Sequence, residues 1–184
     1  MIEPIGPGAV VAVTGASGVG KDALLAYARE HAGTLASFPR RAITRPPGPG
    51  EDHQPMEERE FADALKRGAF GVWWQAHGLH YGIPISADNE VRAGRAIVVN
   101  VSRGVLGLLA DRYQRLVVVR VTVSDAVRAV RLRSRQRESS DDITRRMLRT
   151  DPAPAHPVDA EIRNDGTLEE GGRQLLRIIR DAAV

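Results

Sequence analysis

Gly15-Ala16-Ser17-Gly18-Val19-Gly20-Lys21-Asp22 follows the spacing G-x-x-x-x-G-K, and that spacing handles phosphate. Glycines let the main chain wrap until successive N–H groups converge on one anion. A helix starting near Lys21 adds the positive end of its dipole. The Lys21 ammonium then reaches back to the β- and γ-phosphates of a nucleotide. With the chain's glycine and lysine content, the pattern would arise by chance about 2% of the time. One position departs from the usual form. Asp22 stands where serine or threonine ordinarily meets Mg²⁺. A carboxylate can hold that metal directly or through water; the alternative is a helix-start aspartate that only stabilises the first turn.

Such a loop works only at the head of a parallel sheet, and the surrounding pattern supplies one. Residues 9–14 (AVVAVT) form a continuous apolar, valine-rich run, the signature of a strand buried on both faces. A helix is predicted over 21–31. Further buried strands are predicted over 97–101 and 116–123, with helices over 105–113, 125–137, 141–149 and 168–183. Buried strands alternating with helices indicate a parallel sheet covered on both faces. Residues 39–84 break this rhythm with a proline- and glycine-rich loop at 46–50, a short helix near 57–67 and a β-like pattern at 70–76. The stretch is too small to bury a core of its own, so it reads as an insertion. Residues 151–157 read as a surface loop.

The chain of 184 residues suits one compact domain. Without cysteine it has no disulfides, thiolate metal sites or cysteine nucleophiles, which fits a cytoplasmic protein. No secretory signal and no membrane-length apolar run is present. Lys21 and Lys66 are the only lysines among 26 basic residues, the rest being arginine. Arginine matches phosphate oxygens with a flat fork of donors; a genomic bias toward arginine codons is the plainer source of the excess. A net charge of +3 is too small to indicate nucleic acid.

Taken in order, the segments resemble the guanylate kinases. Gly15 to Lys21 resembles their phosphate loop, and Thr44-Arg45-Pro46-Pro47-Gly48-Pro49-Gly50-Glu51 their T-R-x-P-R-x-G-E segment. Gly78-Leu79-His80-Tyr81-Gly82 is similar to their G-x-x-Y-G. Arg131-Leu132-Arg133-Ser134-Arg135, followed by Ile143-Thr144-Arg145-Arg146, resembles their lid. Ile162-Arg163-Asn164-Asp165 resembles the late segment flanking adenine. Within this superfamily the match is nearer to the ribose 1,5-bisphosphate phosphokinases. It is carried by Lys21-Asp22, by Ile43-Thr44-Arg45-Pro46, and by the string running from Trp74 through His77, Gly78, His80 and Tyr81 to Pro84.

The resemblance implies an α/β fold, a P-loop three-layer sandwich with a parallel central sheet, as one domain over 1–184. Residues 39–84 would be the acceptor-binding insertion and 131–149 an arginine-rich lid. The implied reaction phosphorylates ribose 1,5-bisphosphate with ATP and Mg²⁺, giving 5-phosphoribosyl 1-diphosphate and ADP, a step of phosphonate breakdown. Lys21, Arg135 and Arg146 would be catalytic, with Arg131 and Arg133 as weaker lid candidates beside the plainer reading of a solvated basic helix. Gly15, Ala16, Ser17, Gly18, Val19, Gly20, Lys21 and Asp22 would bind ATP, with Asn164 and Asp165 beside the adenine. Asp22 would ligate Mg²⁺. Arg41, Arg45, His53, His80, Tyr81 and Arg103 would bind the acceptor, against the plainer alternatives of a loop salt bridge for Arg45 and core packing for Tyr81. The expected partner is a sugar phosphate, without nucleic acid or membrane, and a homodimer stays open.

Two departures weigh against a guanylate kinase. Gly48 stands where that family has a second arginine, and Val72 where it reads guanine with glutamate. Valine accepts no hydrogen bond, and losing such partners typically costs ~10⁴ in discrimination. A guanylate or other nucleoside-monophosphate kinase is the first alternative. A non-catalytic guanylate-kinase-like binding module is the second, set against the intact Lys21 and glycines. A nucleic-acid binder using the arginines is the third.

Overall fold

The computed structural model describes residues 3–48, 50–134 and 156–183. Five strands make a wholly parallel sheet: β1 (Val10–Thr14), β2 (Ala36–Ser37), β7 (Ala96–Asn100), β8 (Leu116–Thr122) and β9 (Ala160–Arg163), in the order β2-β7-β1-β8-β9. Every residue of β1 is buried, as its unbroken apolar run requires. It lies between β7 and β8, with Val13 in register with Asn100 on one side and Val119 on the other. The alternation of side chains splits the core in two. Val11 and Val13 pack with Leu24, Ala28, Leu175 and Ile179 on one face. Val10 and Ala12 pack with Val99, Leu106 and Leu109 on the other.

Helix α1 (Lys21–His31) has Asp22 in its first turn and Arg29 in its last, each charge complementing the dipole. Helix α6 (Leu168–Ala182) opens with a capping box between Thr167 and Glu170 and buries Leu175, Ile179 and Ala182 at helical spacing. Between them in sequence come α2 (Glu58–Lys66), α3 (Ser86–Arg92), α4 (Leu106–Arg112) and α5 (Asp125–Ser134). Among the described residues no helix is long and apolar enough to cross a membrane.

A second sheet has the order β4-β3-β6-β5, built from β3 (Ala42–Ile43), β4 (Gln54–Pro55), β5 (Phe70–Ala76) and β6 (Leu79–Pro84). Strands β5 and β6 form a hairpin whose two-residue turn, His77-Gly78, has positive φ at both positions (54° and 73°). That is the mirror-image turn that matches strand twist. Val72, Trp74 and Ile83 on its inner face join the core of Val10, Ile97 and Val99. The stretch that cannot bury a core alone thus shares that of the parallel sheet. Phe61 of α2 stacks on Phe70 at 4.6 Å on the other side.

The predicted strand at 9–14 begins at Val10, and the one at 97–101 spans Ala96–Asn100. The helix predicted over 105–113 is Leu106–Arg112, preceded by a 3₁₀ turn at Arg103–Val105. The helix predicted over 125–137 is described as Asp125–Ser134, and the one at 141–149 lies outside the described residues. Strands β2, β3 and β4, two residues each, carry no periodicity to read. Helix α3 and strand β9 are likewise not indicated by the sequence pattern. Asp88 in α3 is fully buried and accepts hydrogen bonds from the Tyr113 hydroxyl (2.7 Å) and from Arg112 Nε (3.2 Å), tying α3 to the end of α4. A carboxylate in the core is stable only when paired and hydrogen-bonded in this way. Asp88→Ala would orphan the Tyr113 hydroxyl and one face of Arg112. The expected loss is about 3 kcal/mol of unfolding free energy, measured by urea denaturation.

Candidate active site

The loop between β1 and α1 is strained only where glycine relieves it. Gly15 has φ +146° and a Cβ there would lie 2.4 Å from the Val121 carbonyl oxygen; Gly20 has φ +92° and a Cβ would lie 2.6 Å from Asn164 Nδ2. The loop's carbonyl oxygens are tied down. Lys21 Nζ donates to Gly15 O (2.7 Å) and Ala16 O (2.9 Å). Arg128 Nε donates to Ser17 O (3.0 Å), and Asn164 Nδ2 (2.9 Å) and Arg131 Nη1 (3.3 Å) both donate to Val19 O. In a trans peptide the N–H points opposite to the C=O. Holding the Ser17 and Val19 carbonyls toward α5 and residue 164 therefore turns the Gly18 and Gly20 amides the other way, toward the cleft. The result is a nest of donors at the head of a helix.

That cleft has a volume of about 310 Å³, the size of a small-ligand site. Gly15, Ser17, Gly18, Gly20, Lys21 and Asp22 line one side, and Arg41, Arg45, His53 and Tyr81 line the other. Arg45 Nη1 pairs with Glu51 Oε2 at 2.7 Å, and the same carboxylate oxygen accepts from Gly48 N at 2.9 Å. Burial pushes the Glu51 carboxyl up, but the hydrogen bonds from Arg45 and Gly48 and the charges of Arg45 and His53 outweigh it and hold it below its ordinary value. The stability this gives the loop is present above the ordinary carboxylate range and is lost only as pH falls through that lowered value.

Arg41 contrasts with Arg45. It is half-buried, and among the described residues its guanidinium has no hydrogen-bond or ion-pair partner. Burial lowers its proton affinity, partly offset by the charges of Asp22, Tyr81 and Glu51. Arginine nevertheless stays charged. Tyr81 stacks on Trp74 (centroids 5.1 Å apart, rings 8° from parallel), and burial raises its phenol, which therefore remains a donor at neutral pH. The Trp74 indole N–H is buried with no acceptor among the described residues.

Other expected site residues are placed elsewhere. Asn164 is buried behind the phosphate loop, donating to Val19 O, instead of lying open beside a base. Asp165 accepts from Ser124 N (2.7 Å) at the start of α5, and that bond, helped by Arg163, lowers its carboxyl. His80 alternates with Tyr81 on β6; its ring lies against Phe61 at 5.4 Å, away from the cleft lining. His53 is 2% exposed and its Nε2 lies 3.1 Å from Arg45 O, so it supports the loop that carries Arg45. Arg103 opens the 3₁₀ turn and does not line the cleft. Arg131, expected in a lid, reaches under the phosphate loop. Arg135 and Arg146 lie outside the described residues, as do the side chain of Arg133 and most of the lid at 131–149. Asp52, which pairs with Arg29 of α1 and with Arg40 Nε (2.7 Å), is a clamp that sequence pattern did not reveal.

Asp22 suits a magnesium ion. Among the described residues no cluster of three histidine or acidic side chains could hold a metal alone. Mg²⁺ ordinarily takes one or two carboxylates and completes its shell with phosphates and water.

A parallel sheet headed by this loop defines the class, a P-loop kinase of guanylate-kinase-like α/β fold. A crystal structure of guanylate kinase from Anaplasma phagocytophilum has the same fold, with a TM-score of 0.67 at 17% identity over 100% of this chain and 89% of that one. No family model matches the sequence. A protein of Pseudofrankia inefficax named ribose 1,5-bisphosphate phosphokinase PhnN is 66% identical over 183 residues, 100% of this chain and 96% of its own. One of the same name from Chelativorans is 42% identical, over 98% of this chain and 88% of its own. The chain belongs to the ribose 1,5-bisphosphate phosphokinase family.

Asn164→Ala would leave the Val19 carbonyl with only the longer bond from Arg131 under the loop. We expect about 1–3 kcal/mol less stability and at least tenfold weaker ATP binding by calorimetric titration. The acceptor KM should stay unchanged.

Proposed function

We propose that the protein transfers the γ-phosphoryl group of ATP to the 1-phosphate of ribose 1,5-bisphosphate, giving 5-phosphoribosyl 1-diphosphate and ADP. The observation that carries this reading is the pairing, in one cleft, of a phosphate loop with a guanidinium on the opposite wall, that of Arg41, which has no partner among the described residues. Arg41 and Arg45 offer two cations to an acceptor that bears two phosphates. The relatives' names supply the sugar. Against a guanylate kinase stands Val72, 5% exposed in the core beneath Trp74, which offers a purine no acceptor.

An oxygen of the acceptor 1-phosphate is anionic at neutral pH, so its attack on the γ-phosphorus needs no general base. One P–O bond forms as the bond between the γ-phosphorus and the β,γ-bridging oxygen breaks, and ADP leaves with that oxygen. Catalysis is then positioning and charge stabilisation. The loop amides and Lys21 hold the β- and γ-phosphates. Lys21 already bridges two loop carbonyls, and a triphosphate would draw its ammonium from them into the cleft. Arg41, Arg45 and the Tyr81 hydroxyl hold the acceptor. Asp22 would hold Mg²⁺, which when bound would supply positive charge to the transferring group. Arg135 and Arg146 are assigned to the closing lid.

Three measurements test this. A coupled ADP-release assay should show turnover with ribose 1,5-bisphosphate and at least 10³-fold less kcat/KM with GMP; the reverse preference would make it a guanylate kinase. Lys21→Ala should remove most turnover while the thermal midpoint is held. Arg41→Ala and Arg45→Ala should each raise the acceptor KM about 10–100-fold, the loss of one charge-assisted hydrogen bond, with ATP affinity unchanged. Weakened ATP binding in these two variants would move them to the nucleotide side.

A further inference from the structure

We infer that Asp22 and Asn100 are one cation-holding unit in which the carboxylate and its neutral partner have exchanged places. In P-loop enzymes the metal is ordinarily held by a hydroxyl on the loop and an aspartate elsewhere in the site. Here the hydroxyl position is Asp22, and β7, the strand paired beside β1, ends in the amide Asn100. The two are 78 residues apart, yet Asn100 Nδ2 lies 3.0 Å from Asp22 Oδ1, and both line the cleft beside Lys21.

Chemistry fixes the direction of this bond. A carboxylate can only accept, so Asn100 must present its NH₂ and turn its carbonyl oxygen elsewhere. Among the described residues Asp22 makes no other side-chain hydrogen bond or ion pair. One oxygen is thus steadied by Asn100, and the other is left for a ligand. A second carboxylate at position 100 would face the first at hydrogen-bond distance and set two like charges against each other beside the phosphates. One carboxylate and one amide keep a single negative charge next to the phosphates. Asn100 is accordingly a positioning residue and Asp22 the ligand. The inference rests on the kinase reading.

The test is ATP titration by calorimetry with and without Mg²⁺ on wild type, D22N, N100D and the isosteric exchange D22N/N100D, with thermal unfolding of each ligand-free protein. Wild type should gain affinity when Mg²⁺ is present. D22N should lose about 10–100-fold of that gain while its Mg²⁺-free affinity is unchanged or higher. N100D should weaken Mg²⁺-free binding, because it adds negative charge beside the phosphates. The double variant should recover the Mg²⁺-dependent gain to within about threefold of wild type, since a carboxylate again meets an amide. If D22N proves unfolded, Asn100→Leu replaces it, with an expected loss of about 10–100-fold in the Mg²⁺-dependent gain, the usual effect of removing a ligand's orienting partner. An undiminished gain in D22N, or in Asn100→Leu where that stands in, would overturn the pairing. So would a double variant no better than D22N, and either result leaves the kinase reading standing. Failure of wild type to bind ATP at all would remove both.

Discussion

The carbonyl of Val19 is the point on which the site turns. It is drawn away from the cleft by the buried amide of Asn164 and by Arg131, and the loop can offer amides to an anion only because its carbonyls are occupied behind it. A wrapped backbone has no intrinsic preference for which polar face it shows. The partners come from α5 and from the residue just after β9, so the grip on phosphate depends on the far side of the sheet. Asn164 N also donates to Thr122 O at 2.8 Å, which fixes its own place by continuing the β8–β9 ladder. The late Arg163-Asn164-Asp165 segment therefore acts as a strut: Asn164 under the loop, Asp165 under the first turn of α5.

The opposite wall is built on a different principle. Glu51 pairs with Arg45 and ties down Gly48, Asp52 joins Arg40 to α1, and His53 fills the space behind. These consecutive residues spend their charges on holding a loop. Among the described residues Arg41, beside β3 and lining the cleft, has no hydrogen-bond or ion-pair partner. Burial disfavours the charge of this guanidinium, and Asp22 and Glu51 offset that only in part. The second arginine of the guanylate kinases is missing at Gly48, and Arg41 offers its charge from the other end of the same segment.

Sharing a core joins the two walls. Trp74 and Val72 pack on β1 and β7 from the second sheet, so the wall facing the phosphate loop is fixed relative to it by the same apolar contacts that stabilise the fold. Stacking of Tyr81 on Trp74 extends that rigidity to the phenol. Asp52 adds a polar tie to α1 at the rim.

The sequence by itself determined the elements whose signal is local. The all-apolar run of β1, the glycine spacing of the loop, helices α1 and α6 and strands β5 and β8 are legible because burial and turn geometry leave their periodicity in neighbouring residues. The motif segments also located both walls of the cleft, through Lys21 on one side and Arg45 and Tyr81 on the other. Tertiary structure decided what each side chain faces. Strands of two residues have no period, and α3 was hidden because its buried Asp88 reads as surface until Tyr113 and Arg112 are seen beside it. Whether Asn164 flanks a base or braces a loop, whether His80 or Tyr81 looks inward, and which of Arg41 and Arg45 pairs with Glu51 all depend on contacts that local spacing does not show. Such contacts leave no mark on local spacing, because an amide or a guanidinium has the same identity whether it meets ligand, carbonyl or carboxylate.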